Sequence, residues 1–310
     1  MPLKSKPPTP LFRRALVALH RTADQDADLL AYTEMLARQG VIGEMHFVHV
    51  LPDSKLPSDS AHEATFLAGM TAETSKYLAG LPASISCKHE LRRGPLIDRL
   101  LDYAASEHVD LAMVGHRQDH PLRRSLARRL AKLAPCSVLL VPEGAVPAVK
   151  RILVPIDFSP PAADALAVAL KLAALIGLNE LTALHVYFDE SRTTYEGANE
   201  SIRGDETSHF NTFVAPIDAY GVKIKPIFRE GVHPAHTIRH VADELSIDLT
   251  VMETRGRSTS AAILLGSVAQ ETLVESRGPV LVVKHSGTQI GVLRALLLKL
   301  FRSDPGLQFD

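Results

Sequence analysis

The residues from 249 to 270 carry the groups that phosphate binding needs. The apolar, β-rich run Leu249–Met252 leads into a polar loop that contains Gly256, and the loop ends at Gly266–Ser267, where an amphipathic helical pattern begins. In a strand–loop–helix arrangement, backbone N–H groups and a helix N-terminus can face an anion, typically phosphate. A purely structural interpretation is also open, because Gly256 can simply turn the chain and Ser267 with Gln270 matches an S-x-x-Q capping box.

The composition limits the classes of protein that these residues can serve. With 310 residues, 46% hydrophobic and 22% charged, the chain has room for two globular domains and is not disordered. A net charge of -1 gives no general attraction to nucleic acid or acidic membranes. Two cysteines do not make a disulfide framework, and the most apolar long segment, residues 162–178, is too short and too polar to span a bilayer. We expect a soluble cytoplasmic protein with no nucleic-acid partner and no membrane span.

An internal repeat divides the chain. The matching segments are Arg14–His20 with Arg151–Asp157, Glu44–Val50 with Glu180–Val186, Asp110–Gly115 with Asp248–Glu253, and Val138–Val141 with Val280–Val283. The repeat is too long for a solenoid unit, so it predicts two copies of one domain, residues 11–143 and 150–285, with a linker at residues 143–149 and an extension at residues 286–310.

Each copy alternates short β-rich runs with longer helical patterns, which predicts an α/β fold. In the second copy the β-rich runs are residues 152–156, 181–187, 222–228, 249–252 and 280–283. Near-continuous apolar strands between helices indicate a five-stranded, doubly wound parallel sheet covered on both faces. Ligands of such sheets bind outside the carboxyl ends of the strands, where strand order reverses. This places Asp157 beside the loop that starts at Glu253.

The same segments resemble the tandem universal stress protein family. The residues that carry the resemblance are the opening Ile152–Asp157, Leu-His-Val at 184–186, Gly231, the Gly256 to Gly266–Ser267 spacing, and Pro279–Val283. The resemblance covers roughly residues 11 to 285. It implies two tandem domains of the adenine-nucleotide alpha hydrolase-like fold that pack as a pseudo-dimer, with the last strands at their interface, and a role in the stress response.

The resemblance also implies a ligand. Family members with the full glycine motif bind ATP: the aspartate that ends the first strand contacts the adenosine part, and the glycine loop with its serine holds the phosphates. The second copy matches this pattern at Asp157, Gly256, Gly266 and Ser267. The candidate nucleotide-binding residues are therefore Asp157, Met252, Glu253, Arg255, Gly256, Arg257, Gly266 and Ser267.

The second copy departs from the family motif at Glu253, where the family loop begins with a glycine. A glutamate there adds bulk and a negative charge beside the phosphates. At an effective dielectric of ~20, two unit charges ~5 Å apart cost roughly 3 kcal/mol, on the order of a hundredfold in affinity. Arg255 and Arg257 could offset part of this, or Glu253 could bind a phosphate-bound Mg²⁺. We expect a weakened site for ATP or a related adenine nucleotide.

The first copy departs further, and we expect no ATP there. His20 replaces the aspartate, and no glycine matches Gly256. A basic face formed by Arg123, Arg124, Arg128 and Arg129 follows the fourth strand. It is either a solvated helix face, a pocket for another anion, or a docking patch for an acidic partner. The stripe of Leu and Phe residues at 289–302 is expected to dock on the chain itself or on a partner subunit, and a homodimer stays open. A membrane-surface helix is the less favoured alternative for this segment, because it has few basic residues.

Other chemistry is not favoured by the sequence. His233, His236 and His240 have metal-ligand spacing, but His236 and His240 fall opposite the apolar face of their helix, so no metal site is expected. His49 and His185 are predicted to be hydrogen-bonded structural residues. No nucleophile with a general base is identifiable, so no catalytic residue is assigned. The alternatives to weak nucleotide binding are a nucleotide-free scaffold and a slow ATPase.

Overall fold

A computed structural model describes residues 9–20, 23–52, 60–82, 85–116, 121–188, 198–253 and 266–284. In the first half the elements are β1 Phe12–Leu19, α1 Ala23–Arg38, β2 Ile42–Leu51, α2 Ser60–Leu78, β3 Ser86–Arg93, α3 Leu96–Ser106, β4 Leu111–His116, α4 Pro121–Leu133 and β5 Ser137–Pro142. In the second half they are β6 Ile152–Ile156, α5 Pro160–Leu175, β7 Glu180–Tyr187, α6 Ala198–Val214, β8 Lys223–Glu230, α7 Pro234–Glu244, β9 Leu249–Glu253, α8 Ser267–Glu275 and β10 Val280–Val283.

The ten strands form one continuous sheet in the order β3-β2-β1-β4-β5-β10-β9-β6-β7-β8. Within each half all neighbouring strands are parallel, and the first strand lies between the second and the fourth. The two halves meet where β10 pairs antiparallel with β5. The predicted α/β class, the doubly wound topology and the pseudo-dimer are therefore confirmed.

Helices cover both faces of this sheet because its strands are apolar on both sides. One core contains Leu29 of α1, Leu166 of α5 and Phe210 of α6, and it runs through both halves. On the other face, α3, α4 and α8 share a second core, and α7 packs in a third, smaller one. All six residues of β5 are buried, as a central strand of a two-faced parallel sheet requires.

The interface between the halves is a buried strand pair, as the resemblance implied. Val138 lies opposite Val282, and Leu139 lies opposite Leu281. None of these four side chains is more than 2% exposed. Lys284 directly follows β10 and connects it to the first half. Its Nζ donates hydrogen bonds to the carbonyl oxygens of Lys132 and Ala134. No helix in the described part of the chain is long and apolar enough to cross a bilayer.

The start of α5 differs slightly from the sequence prediction, because a serine caps the helix. α5 begins at Pro160, two residues before the predicted Ala162, because Ser159 is its N-cap and accepts a hydrogen bond from the Ala162 backbone nitrogen at 3.3 Å. Proline is favoured at the first helical position since its missing N–H would have no intrahelical acceptor there. The turn between Ile156 and α5 is thereby fixed at the carboxyl end of β6.

Candidate functional site

The turn after β6 holds Asp157 in one orientation. Its Oδ1 accepts hydrogen bonds from the backbone nitrogen of Ser159 at 3.0 Å and from the Ser159 hydroxyl. The intervening Phe158 has a φ of 62°, a left-handed conformation that is uncommon for a bulky residue. The carboxylate is half-buried and lines the cleft, so the turn presents a fixed negative charge at the carboxyl end of the strand.

A histidine of the neighbouring strand supports the same turn. The Nδ1 of His185 donates to the carbonyl oxygen of Ile156, the last residue of β6, at 2.9 Å. In the first half the Nδ1 of His49 donates to the carbonyl oxygen of Leu19, the last residue of β1, at 2.8 Å. The prediction that both histidines are hydrogen-bonded structural residues is confirmed. They tie the second strand of each half to the end of the first.

A cavity of about 260 Å³ opens at this edge of the sheet. Five of the predicted site residues line it: Asp157, Met252, Glu253, Gly266 and Ser267. The remaining walls are mainly apolar, and the sequence reasoning did not single them out. They are Pro155, Ile156, Ala162, Leu184, Val186, Pro234, Ile238, Val268 and Ala269. The apolar periodicity of β7 and α7 could have identified Leu184, Val186 and Ile238 as wall residues.

The N-terminus of α8 forms one wall of the cavity. The helix has Gly266 as its N-cap, and the Gln270 backbone nitrogen donates to the Gly266 carbonyl oxygen at 2.9 Å. The predicted Ser267–Gln270 capping box is wrong, because Ser267 is already the first helical residue and no side chain caps the helix. The first backbone N–H groups of a helix lack intrahelical acceptors, and the helix dipole adds partial positive charge there. This end of α8 can therefore accept an anion.

Glu253 brings a negative charge to the same cavity. It ends β9, is 8% exposed and lines the same cavity. A buried carboxylate beside an anion is unfavourable unless a cation intervenes. Arg255, Gly256 and Arg257, the other predicted loop contacts, lie outside the described residues.

The approach of β8 to α7 depends on Gly231. A Cβ on this glycine would overlap the hydroxyl of Thr237 and contact Val186. A larger residue would therefore require Thr237 of α7 to shift, on the helix that also carries the cavity residues Pro234 and Ile238. The glycine after the third strand thus allows Thr237 and Val186 to approach the backbone closely beside the cavity.

Comparison with known proteins decides the family. The model of the universal stress protein family matches residues 11–142 and 148–284. The chain belongs to this family. It is 28% identical over 159 residues to the universal stress protein MJ0577 of Methanocaldococcus jannaschii, an alignment that spans 45% of this chain and 97% of that protein.

Two solved structures show the same fold over most of this universal stress protein. A universal stress protein of Archaeoglobus fulgidus is 19% identical with a TM-score of 0.63, and the match covers 89% of this chain and 97% of the other. The protein PA1789 of Pseudomonas aeruginosa PAO1 is 21% identical with a TM-score of 0.65, with 93% and 98% covered. At these identities the likeness concerns the fold alone.

The first half of this universal stress protein differs at the corresponding positions. His20 is half-buried, and its backbone nitrogen donates to the carboxylate of Asp26, at 3.0 Å to Oδ1 and 2.9 Å to Oδ2. His116 ends β4 and is only 5% exposed. Arg128 and Arg129 are exposed on α4. The side chains of Arg123 and Arg124, and the C-terminal segment at 289–302, lie outside the described residues.

Proposed function

We propose that the second half of this universal stress protein binds an adenine nucleotide, with ATP in the cleft between β6 and β9, and that the first half serves as a structural or partner-binding unit. The observation that carries the proposal is the cavity itself. Within one concave space it combines a fixed carboxylate at Asp157, an apolar wall and the N-terminus of a nine-residue helix.

Each part of the cavity suits a different part of a nucleotide. The apolar walls from β7 and α7 suit a flat base, and Asp157 can accept hydrogen bonds from ribose hydroxyls. The N–H groups at Ser267 and Val268 suit phosphate oxygens. The position of the cavity, at the carboxyl edge where strand order reverses, is where doubly wound sheets bind their ligands. The likeness to ATP-binding family members supports the same ligand.

Glu253 favours a second candidate, a nucleotide-free scaffold. Its carboxylate is buried in the cavity, on the strand next to the one that leads to Asp157. Two carboxylates lining one cleft repel the phosphates of a nucleotide unless Mg²⁺ or an arginine neutralises them. In this alternative the cleft is closed to nucleotides, and the chain acts through its surfaces.

Calorimetric titration of the full chain with Mg-ATP tests the proposal. We expect binding of one nucleotide per chain, together with a rise in the midpoint of thermal unfolding, because a ligand that binds only the folded state stabilises it. The matched control is His20→Ala, which changes the equivalent position of the first half and should leave the stoichiometry and affinity unchanged. No heat and no thermal stabilisation at millimolar Mg-ATP would instead support the scaffold.

A further inference from the structure

Three potential metal ligands from two helices converge on one point outside the nucleotide cleft. The Nε2 of His236 on α7 lies 2.9 Å from Oε1 of Glu275 and 3.5 Å from Oε1 of Glu271, both on α8. One ligand atom from each of the three residues lies within 4.8 Å of the other two. The group therefore combines one imidazole nitrogen with two carboxylates, and its members come from segments that are distant in sequence.

The two glutamates are poorly compensated without a further cation. They stand one turn apart on α8, where like charges destabilise a helix. Glu275 is also the last residue of α8, the end at which the helix dipole disfavours negative charge. Among the described residues, neither glutamate pairs with a lysine or arginine, and His236 is the one ion-pair partner they share.

One carboxylate oxygen of the group is buried and has no partner among the described residues. The Oε2 atom of Glu275 is inaccessible to solvent and has no hydrogen-bond partner in the described part of the chain. The side chain as a whole is 20% exposed, and those of Glu271 and His236 are 47% and 57% exposed. A buried carboxylate oxygen without a partner costs free energy of folding. A cation bound at Glu275 would compensate it, and the outer side of the group is open for its entry.

The spacing of the donor atoms fits a transition-metal ion. Tetrahedral Zn²⁺ with bonds of ~2.0–2.1 Å to nitrogen and oxygen places neighbouring ligand atoms ~3.4 Å apart. The two separations measured from Nε2 of His236 lie on either side of that value, so small side-chain rotations suffice for coordination. Imidazole and carboxylate together suit zinc and its neighbours better than Mg²⁺ or Ca²⁺, which prefer oxygen alone.

We propose that His236, Glu271 and Glu275 bind a divalent transition-metal ion of the zinc type between α7 and α8. The ion has three protein ligands and leaves a fourth position for water. It neutralises the two glutamates and cross-links the two helices. The exposed His240, one turn further on α7, is not part of the site, because its Nδ1 faces Glu244 at 3.9 Å.

Calorimetric titration of the chelator-treated full chain with ZnCl₂ tests the site. We expect one site in the wild type, with Zn²⁺ affinity lowered at least about tenfold in His236→Gln and in Glu271→Gln, since even outer-shell partners of metal ligands contribute tenfold or more. The matched control is His240→Gln, which removes a histidine that is 82% exposed on the same helix and should bind Zn²⁺ like the wild type.

Unfolding curves separate loss of the metal site from loss of the fold. Without metal, Glu271→Gln should unfold at the wild-type denaturant concentration or slightly above it, because the substitution removes a like-charge repulsion. With Zn²⁺, the wild type and His240→Gln should be stabilised, and Glu271→Gln should not. Equal Zn²⁺ binding and equal stabilisation in all four chains would overturn the proposal, because the three residues would then form only an ion-paired cluster with adventitious zinc on other histidines.

Discussion

Asp110 and Asp248 make the same pair of backbone hydrogen bonds in the two halves of the molecule. The Oδ2 of Asp110 accepts from the backbone nitrogens of residues 13 and 14 at 2.9 and 3.1 Å. The Oδ2 of Asp248 accepts from those of residues 150 and 151 at 2.9 and 2.8 Å. Each carboxylate stands just before the fourth strand and fixes the start of the first. The internal repeat thus preserves this pair of hydrogen bonds, while the residue that ends the first strand differs, His20 in one half and Asp157 in the other.

Breaking either clamp should destabilise the chain by a similar amount. Hydrogen bonds to a charged acceptor contribute more than neutral ones, so we expect Asp110→Ala and Asp248→Ala each to lower the free energy of unfolding by about 1–3 kcal/mol. Urea unfolding followed by circular dichroism measures this. Asp102→Ala is the control, because its ion pair with Arg99 is long, at 3.6 Å, and exposed. Losses no larger than that of the control would show that the clamps are not stabilising.

Removing the charge of Glu253 should tighten ATP binding. For Glu253→Gly we expect the affinity for ATP to rise on the order of a hundredfold if the carboxylate lies ~5 Å from a phosphate. Calorimetric titration with Mg-ATP gives the affinity. Glu253→Gln keeps the size and removes the charge, so it separates repulsion from the backbone freedom that glycine adds. Unchanged affinity in both variants would mean that the phosphates do not lie near this strand end.

Replacing Asp157 should weaken ATP binding, and a second variant shows why. Asp157→Ala removes both the carboxylate in the cleft and the acceptor that holds the turn through Ser159. Asp157→Asn retains an oxygen acceptor for the turn and removes only the charge. If the carboxylate binds the ribose, both variants weaken binding in a calorimetric titration. If Asp157→Asn binds like the wild type, the turn geometry matters and the charge does not. Wild-type affinity in Asp157→Ala would contradict the cleft proposed here.

Glu44 should make the first half sensitive to acid. Burial raises the pKa of this carboxyl group, but hydrogen bonds with His46 and Arg14 outweigh burial and lower the pKa to about 2. Unfolded, the group protonates near pH 4.5. Its stabilising contribution is therefore fully present above about pH 4.5 and is lost as the pH falls toward 2.

The matching variant is Glu44→Gln, which cannot ionise. At neutral pH the free energy of unfolding of Glu44→Gln, measured in urea, should be about 2 kcal/mol lower than that of the wild type. This difference should shrink between pH 4.5 and pH 2. Glu34→Gln is the control, because the ion pair of Glu34 with Arg38 lies at the surface along α1. A difference between Glu44→Gln and the wild type that stays constant with pH would show that the carboxylate is not preferentially ionised in the folded state.

The two cysteines should differ in reactivity. Both are free thiols; Cys87 is exposed, whereas Cys136 is buried and burial raises the pKa of its thiol to about 12. Because the thiolate is the reactive form, a thiol reagent should modify one cysteine in the native chain and two after unfolding. Cys87→Ser should abolish the native signal. Two reacting thiols in the native chain would show that the core around Cys136 opens readily.

The sequence was sufficient for the architecture because strand order follows from general rules. Alternating apolar runs, right-handed crossovers and the repeat placed Asp157 beside Glu253, and the structure has β6 next to β9. The start of α8 at Ser267 was predicted, but the capping box was wrong, since a serine in a capping pattern and one at the first helical position look alike in a sequence. The meeting of His236 with Glu271 and Glu275 could not be predicted, because it depends on the side on which α8 packs against α7.

The antiparallel pairing of β5 with β10 has a consequence for how the two halves could diverge. An uncovered β10 would leave the backbone groups of a four-residue apolar strand exposed as a template for aggregation. Here the covering strand belongs to the same polypeptide, so the pairing does not depend on protein concentration or on exchange with other subunits. The second half needs β5 to cover the edge of β10. This requirement preserves the first half even if the residues at its own cleft position diverge.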